Sequence, residues 1–93
     1  VFKTIEDVKR ANQAIGHHWF DRDAMAFFKT KYESDIIRGR FFVTSEQPPH
    51  GPREFRVRMA ADDGKITSSR PIKTRPEAKA IALASGAAGR LTE

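Results

Sequence analysis

Apolar and polar residues alternate most regularly between Ile36 and Glu46. In the run IIRGRFFVTSE, Ile37, Gly39, Phe41 and Val43 fall on one side of an extended chain, and Arg38, Arg40, Phe42 and Thr44 on the other. The pattern predicts a central strand with one core side and one arginine-bearing side. Residues 53–61 repeat it, with Phe55, Val57 and Met59 alternating with Arg56 and Arg58. Between them QPPHGP must be a loop, because Pro48, Pro49 and Pro52 remove backbone donors and fix the chain. Asp62-Asp63-Gly64 predicts a tight turn into a weaker third strand over 65–72, an edge strand with a bulge, ending near Pro71.

The remaining periodicity is helical. Ile5, Val8, Asn12 and Ile15 lie near 3.6-residue spacing, Thr4 suits an N-cap with Asp7 three residues on, and Gly16 can end the helix. Asp21 suits the N-cap of a second helix, running to about Tyr32. Its Met25, Phe28 and Tyr32 face, with Trp19, Phe20 and Phe27 alongside, is expected to be the main cover of the core side of the sheet. Thr74-Arg75-Pro76-Glu77 opens a third helix, uncharged from Ala80 to Ala88, with Gly86 and Gly89 expected to end it and leave residues 86–93 as a frayed tail. The expected fold is a single α+β domain over residues 1–93: a three-stranded antiparallel meander with two N-terminal helices and one C-terminal helix, in the order ααβββα.

Composition changes this picture mainly through charge. A chain of 93 residues with 39% hydrophobic content and seven Phe supports one modest core. The net charge of +5 suggests an anionic partner. Residues 1–47 hold eight bases against seven acids, residues 48–93 nine against five, and residues 65–75 four bases and no acid. The absence of cysteine excludes disulfides, thiolate metal sites and a cysteine nucleophile. With no apolar run near the ~20 residues a bilayer requires, no membrane contact and a cytoplasmic location are expected.

If the two main strands pair, Arg38, Arg40, Phe42, Arg56 and Arg58 share one sheet face. Guanidinium groups grip phosphate bidentately and an exposed Phe offers a stacking surface, so the set forms a nucleic-acid platform in chemical terms. Lys65, Arg70, Lys73 and Arg75 would extend it along the edge strand and the third helix. The competing reading is a solvated strand face paired with Glu46, Glu54 and the Asp62-Asp63 turn, or a face packed beneath the last helix. His17 and His18 with Asp21, Asp23 and His50 do not suggest a metal site, because adjacent histidines point apart and Asp21 serves as a cap. The same histidines have no identified nucleophile to serve, so no enzyme activity and no cofactor are expected. The Ala80–Ala88 surface packs on its own domain or joins two copies in a homodimer.

Two blocks, GHHWFDRDAMAFFKTKYES at 16–34 and RGRFFVTSEQ at 38–47, together with TRPEAKAI at 74–81, resemble a family of small uncharacterised proteins encoded by bacteriophages and prophages. The resemblance covers about half the chain and implies a phage-type accessory protein acting in the host bacterial cell, with no catalytic residue to carry over. The functional expectation is thus a non-enzymatic protein that binds nucleic acid or a nucleoprotein through the arginine-rich sheet face. The alternative is a protein–protein inhibitor of a host defence system, of anti-CRISPR or anti-restriction type.

Overall fold

The computed structural model describes residues 1–92. Among these, helix α1 spans Ile5–Ala14, α2 Arg22–Phe27 and α3 Arg75–Ala88, and the strands are β1 Lys31–Tyr32, β2 Phe41–Glu46, β3 Glu54–Ala60 and β4 Ile66–Ser68. The strands form one antiparallel sheet in the order β1-β2-β3-β4. The α+β class is as expected, but the sheet has a fourth strand. The second helix stops at Phe27 rather than near Tyr32 because Lys29 turns left-handed (φ 51°), and the chain then reverses so that Lys31 and Tyr32 pair with Ser45 and Thr44.

The central strand is also shorter than its alternation suggested. Ile37 and Phe41 form a bridge, and Arg38 and Gly39, both at positive φ (52° and 72°), make the tight turn between them. Arg38 and Arg40 therefore leave the strand. β2 and β3 pair in register from Phe41–Met59 to Glu46–Glu54, so Phe42, Thr44, Arg56 and Arg58 do share a face. β4 is an edge strand whose ladder breaks beyond Ser68. There Ser69 donates its N–H to Val57 O and accepts the Val57 N–H on its hydroxyl, both at 2.9 Å, and pairing resumes at Ile72 with Phe55.

Both faces of the sheet are covered, by different layers. On one, α3 lays Ala78 and Ala82 on Phe41, Val43, Phe55, Val57 and Ile72, small side chains that let the helix backbone come close. On the other, Val8 of α1 and Phe20 pack on Phe42 and Ala60, joined by Trp19, Met25 and Ile66. The second helix is thus not the main cover of the Phe41 side: α2 buries no residue, and the aromatic pair preceding it covers the opposite face. The helix ends follow their sequence signals, with a complete Thr4–Asp7 capping box on α1 and Thr74 accepting from Glu77 on α3. α3 runs past Gly86 to a left-handed Gly89, and Thr92 N–H donates to Ser85 Oγ at 3.0 Å. The tail expected to fray from residue 86 is therefore helical to Ala88 and tied back through Thr92; residue 93 lies outside the described residues.

α1 is fastened by a buried amide. Asn12 Nδ2 donates to Gly64 O at 2.9 Å, and its Oδ1 accepts the Trp19 N–H at 2.8 Å. A Cβ on Gly64 would stand 2.6 Å from the Ala11 carbonyl carbon, so the Asp-Gly turn serves both the hairpin and the seat of α1.

Candidate anion-binding surface

The shared face of β2 and β3 is real in register but is not a solvent-facing platform. Phe42 has no exposed area; its ring lies within 6.1–6.5 Å of Trp19, Phe20 and Tyr32. Arg58 is only 6% exposed. Its Nε donates to Thr44 Oγ1 at 2.8 Å, Nη1 to Ser68 Oγ at 2.5 Å and Nη2 to Glu46, while the guanidinium sits 5.0 Å over the Trp19 ring. Burial lowers the pKa of Arg58, and the Glu46 carboxylate opposes that shift. The expectation of an exposed Phe42 and Arg58 is corrected. The N-terminal aromatic pair needs a sheet face to cover, and the cross-strand hydroxyls and carboxylate satisfy the arginine beneath it.

The other expected residues are dispersed. Arg38 is exposed on its turn, with its stem against α3 near Gly86, where an added Cβ would meet Arg38 Cγ at 2.8 Å. Arg40 pairs with Asp62 and donates to Ala60 O at 3.3 Å, closing the far end of the sheet; the hydrogen bond from Arg40 holds the Asp62 carboxyl below its usual range. Arg75 turns to the α3 side, where Nε donates to Glu33 at 2.8 Å and the guanidinium lies 5.5 Å over Phe55. Arg56 keeps its place beside the edge, with Nη1 donating to Ser69 O at 3.0 Å. Lys65, Arg70 and Lys73 are all exposed. Arg70 and Lys73 border an open groove of about 610 Å³ that also contains Glu77.

Two features lie outside the expected set. The first is an ionic cluster: Glu33 has a side chain 9% exposed, accepts from Arg75 and from Ser45 Oγ (2.6 Å), and Ser45 Oγ in turn accepts from Arg53 at 2.8 Å. Desolvation raises the Glu33 pKa, but the hydrogen bonds from Arg75 and Ser45 and the charges of Arg75 and Arg53 outweigh it, so the carboxyl titrates below its ordinary value. The second is Phe27, 74% exposed, edge-on to Phe28 at 5.0 Å. Its displacement from the Met25–Phe28–Tyr32 stripe was the available signal. His17, His18 and His50 are exposed, and among the described residues no three His, Asp or Glu side chains are grouped to hold a metal ion. No helix among them is long and apolar enough to cross a membrane.

A family model described as "Family of unknown function (DUF7447)" matches residues 4–80, from the cap of α1 into α3. No curated protein and no solved structure matches the chain.

Proposed function

The chain belongs to the family of unknown function whose model spans most of it, and from that premise we propose a non-enzymatic module that binds nucleic acid or a nucleoprotein. The binding surface is the basic edge of the sheet rather than its buried arginine face. The observation that carries this reading is the course of residues 65–75. This acid-free stretch forms β4, its continuation and the first residue of α3; Ile66 and Ile72 turn inward, while Lys65, Arg70 and Lys73 are exposed along the edge and Arg56 is held alongside by the Ser69 carbonyl. A row of cations on a backbone braced by the sheet suits phosphate contacts, which position a nucleic acid without reading its sequence. The phage-type accessory role rests on the sequence motifs.

The test is fluorescence anisotropy with labelled DNA and RNA over a salt series. With about three phosphates neutralised, log K should fall with log salt at a slope on the order of −2 to −3. The Lys65→Ala/Lys73→Ala double variant should weaken binding and flatten the slope by about 2. Absence of binding to either nucleic acid at low salt overturns this reading. A second reading, the protein-binding inhibitor, is favoured by Leu83, 63% exposed on the outer side of α3; the homodimer contact over Ala80–Ala88 belongs with it. A pull-down from host lysate that survives nuclease treatment and is lost in Leu83→Glu would select it.

A further inference from the structure

The end of the sheet where β2 leaves and β3 enters carries more than the edge strand does. The groove of Arg70 and Lys73 shares Pro71, Ile72 and Lys73 with a second groove, of about 380 Å³, whose other wall includes Arg53. Arg53 Nη2 donates to the Lys29 carbonyl at 2.9 Å, and Lys29 borders a third groove, of about 470 Å³, with Phe27, Phe28, Pro48 and Pro49. Lys73, Arg53 and Lys29 thus succeed one another across the sheet end. The path finishes on an aromatic side chain that is three-quarters exposed. The acids lining these grooves are Glu77 and Glu54, and Glu33 stands behind Arg53, joined to it through the Ser45 hydroxyl.

We infer that this path is a binding track for single-stranded nucleic acid, with Phe27 as the ring on which a base stacks. The inference rests on the nucleic-acid reading above and specifies the strand form and a second set of residues. Crossing from the β4 side to β1 takes three strand spacings, about 14 Å, the length of roughly four nucleotides stacked at 3.4 Å. The edge-on contact with Phe28 steadies Phe27 without a parallel ring stacked on it. A solvent-exposed aromatic beside a run of cations is the arrangement that holds single strands by stacking and charge. A duplex keeps its bases inside and offers Phe27 nothing to stack on. Lys29 stands at the left-handed position after α2 that glycine occupies most easily, so the chain keeps a cation there at a conformational cost.

The experiment compares the full chain with Phe27→Ala, Phe27→Leu and Phe27→Trp on an oligothymidylate of about eight nucleotides and on a duplex at the same salt. Circular dichroism melts confirm that each variant is folded. We expect Phe27→Ala and Phe27→Leu to lose about tenfold or more in single-strand affinity, Phe27→Trp to retain it, and duplex binding to be unchanged in all three. Full single-strand affinity in Phe27→Ala, with salt-dependent binding intact, overturns the track and leaves the basic edge standing. Retention in Phe27→Leu overturns stacking. If no oligonucleotide binds and a poly-glutamate peptide does, in a Phe27-dependent manner, both the track and the nucleic-acid reading fail in favour of an acidic protein partner.

Discussion

At the scale of single residues, two neighbours of like chemistry, Arg56 and Arg58, have opposite roles. Arg58 is enclosed by Glu46, Thr44, Ser68 and Trp19, and removing it strands the Glu46 carboxylate and two hydroxyls beside an emptied pocket. We expect Arg58→Ala to lower stability by about 3 kcal/mol and Arg56→Ala by less than about 1 kcal/mol, read by urea titration. Lys29 reverses the usual direction. Its left-handed backbone predicts that Lys29→Gly raises stability by about 1 kcal/mol while weakening binding to an oligonucleotide, and anisotropy and thermal melts on the same sample check both. Period-two alternation correctly placed Phe42, Arg56 and Arg58 on one face and Phe41, Val43, Phe55 and Val57 on the other. It carries no record of which face meets water, because an amphipathic side chain such as Arg58 serves either situation when cross-strand hydroxyls and a carboxylate are within reach.

Among the elements, α1 is held by a buried polar contact as well as by the apolar packing of Val8 and Ile5. Asn12 is fully buried and bridges the β3–β4 turn to the start of the aromatic segment. Asn12→Ala leaves Gly64 O and the Trp19 N–H without that partner, at a cost of about 2 kcal/mol. For a domain of this size that is a fall in Tm of roughly 8–16 °C, measurable by circular dichroism. The capping residues Thr4, Asp21 and Thr74 were legible from local sequence, since each bonds within three residues. Strand β1 was not, because two residues carry no period and Lys31–Tyr32 extends only through its pairing with Thr44–Ser45. The Arg38–Gly39 turn was hidden for a related reason: an alternating pattern runs straight through a tight reversal when the turn residues happen to keep parity.

For the whole molecule, acid is the informative stress. The Glu33 pKa is lowered in the folded chain, so its contribution is complete above the unfolded carboxyl value near 4.5 and is lost as pH falls through the lower folded value. Glu33→Gln should therefore be less stable than the parent by about 1–2 kcal/mol at pH 7. That gap should narrow as the pH falls below the unfolded carboxyl value and close below the lower folded one, and urea titrations at a series of pH values would show a gap that persists if the cluster does not act this way. The two covering layers also bear on how the chain reaches this state. Val8 and Phe20, which shield one side of the sheet, precede β2 and β3 in the chain, whereas Ala78 and Ala82, which shield the other, follow them. During synthesis the Phe41–Val43–Phe55–Val57 surface must therefore wait, open to other nascent chains, until the alanine-rich helix has been translated.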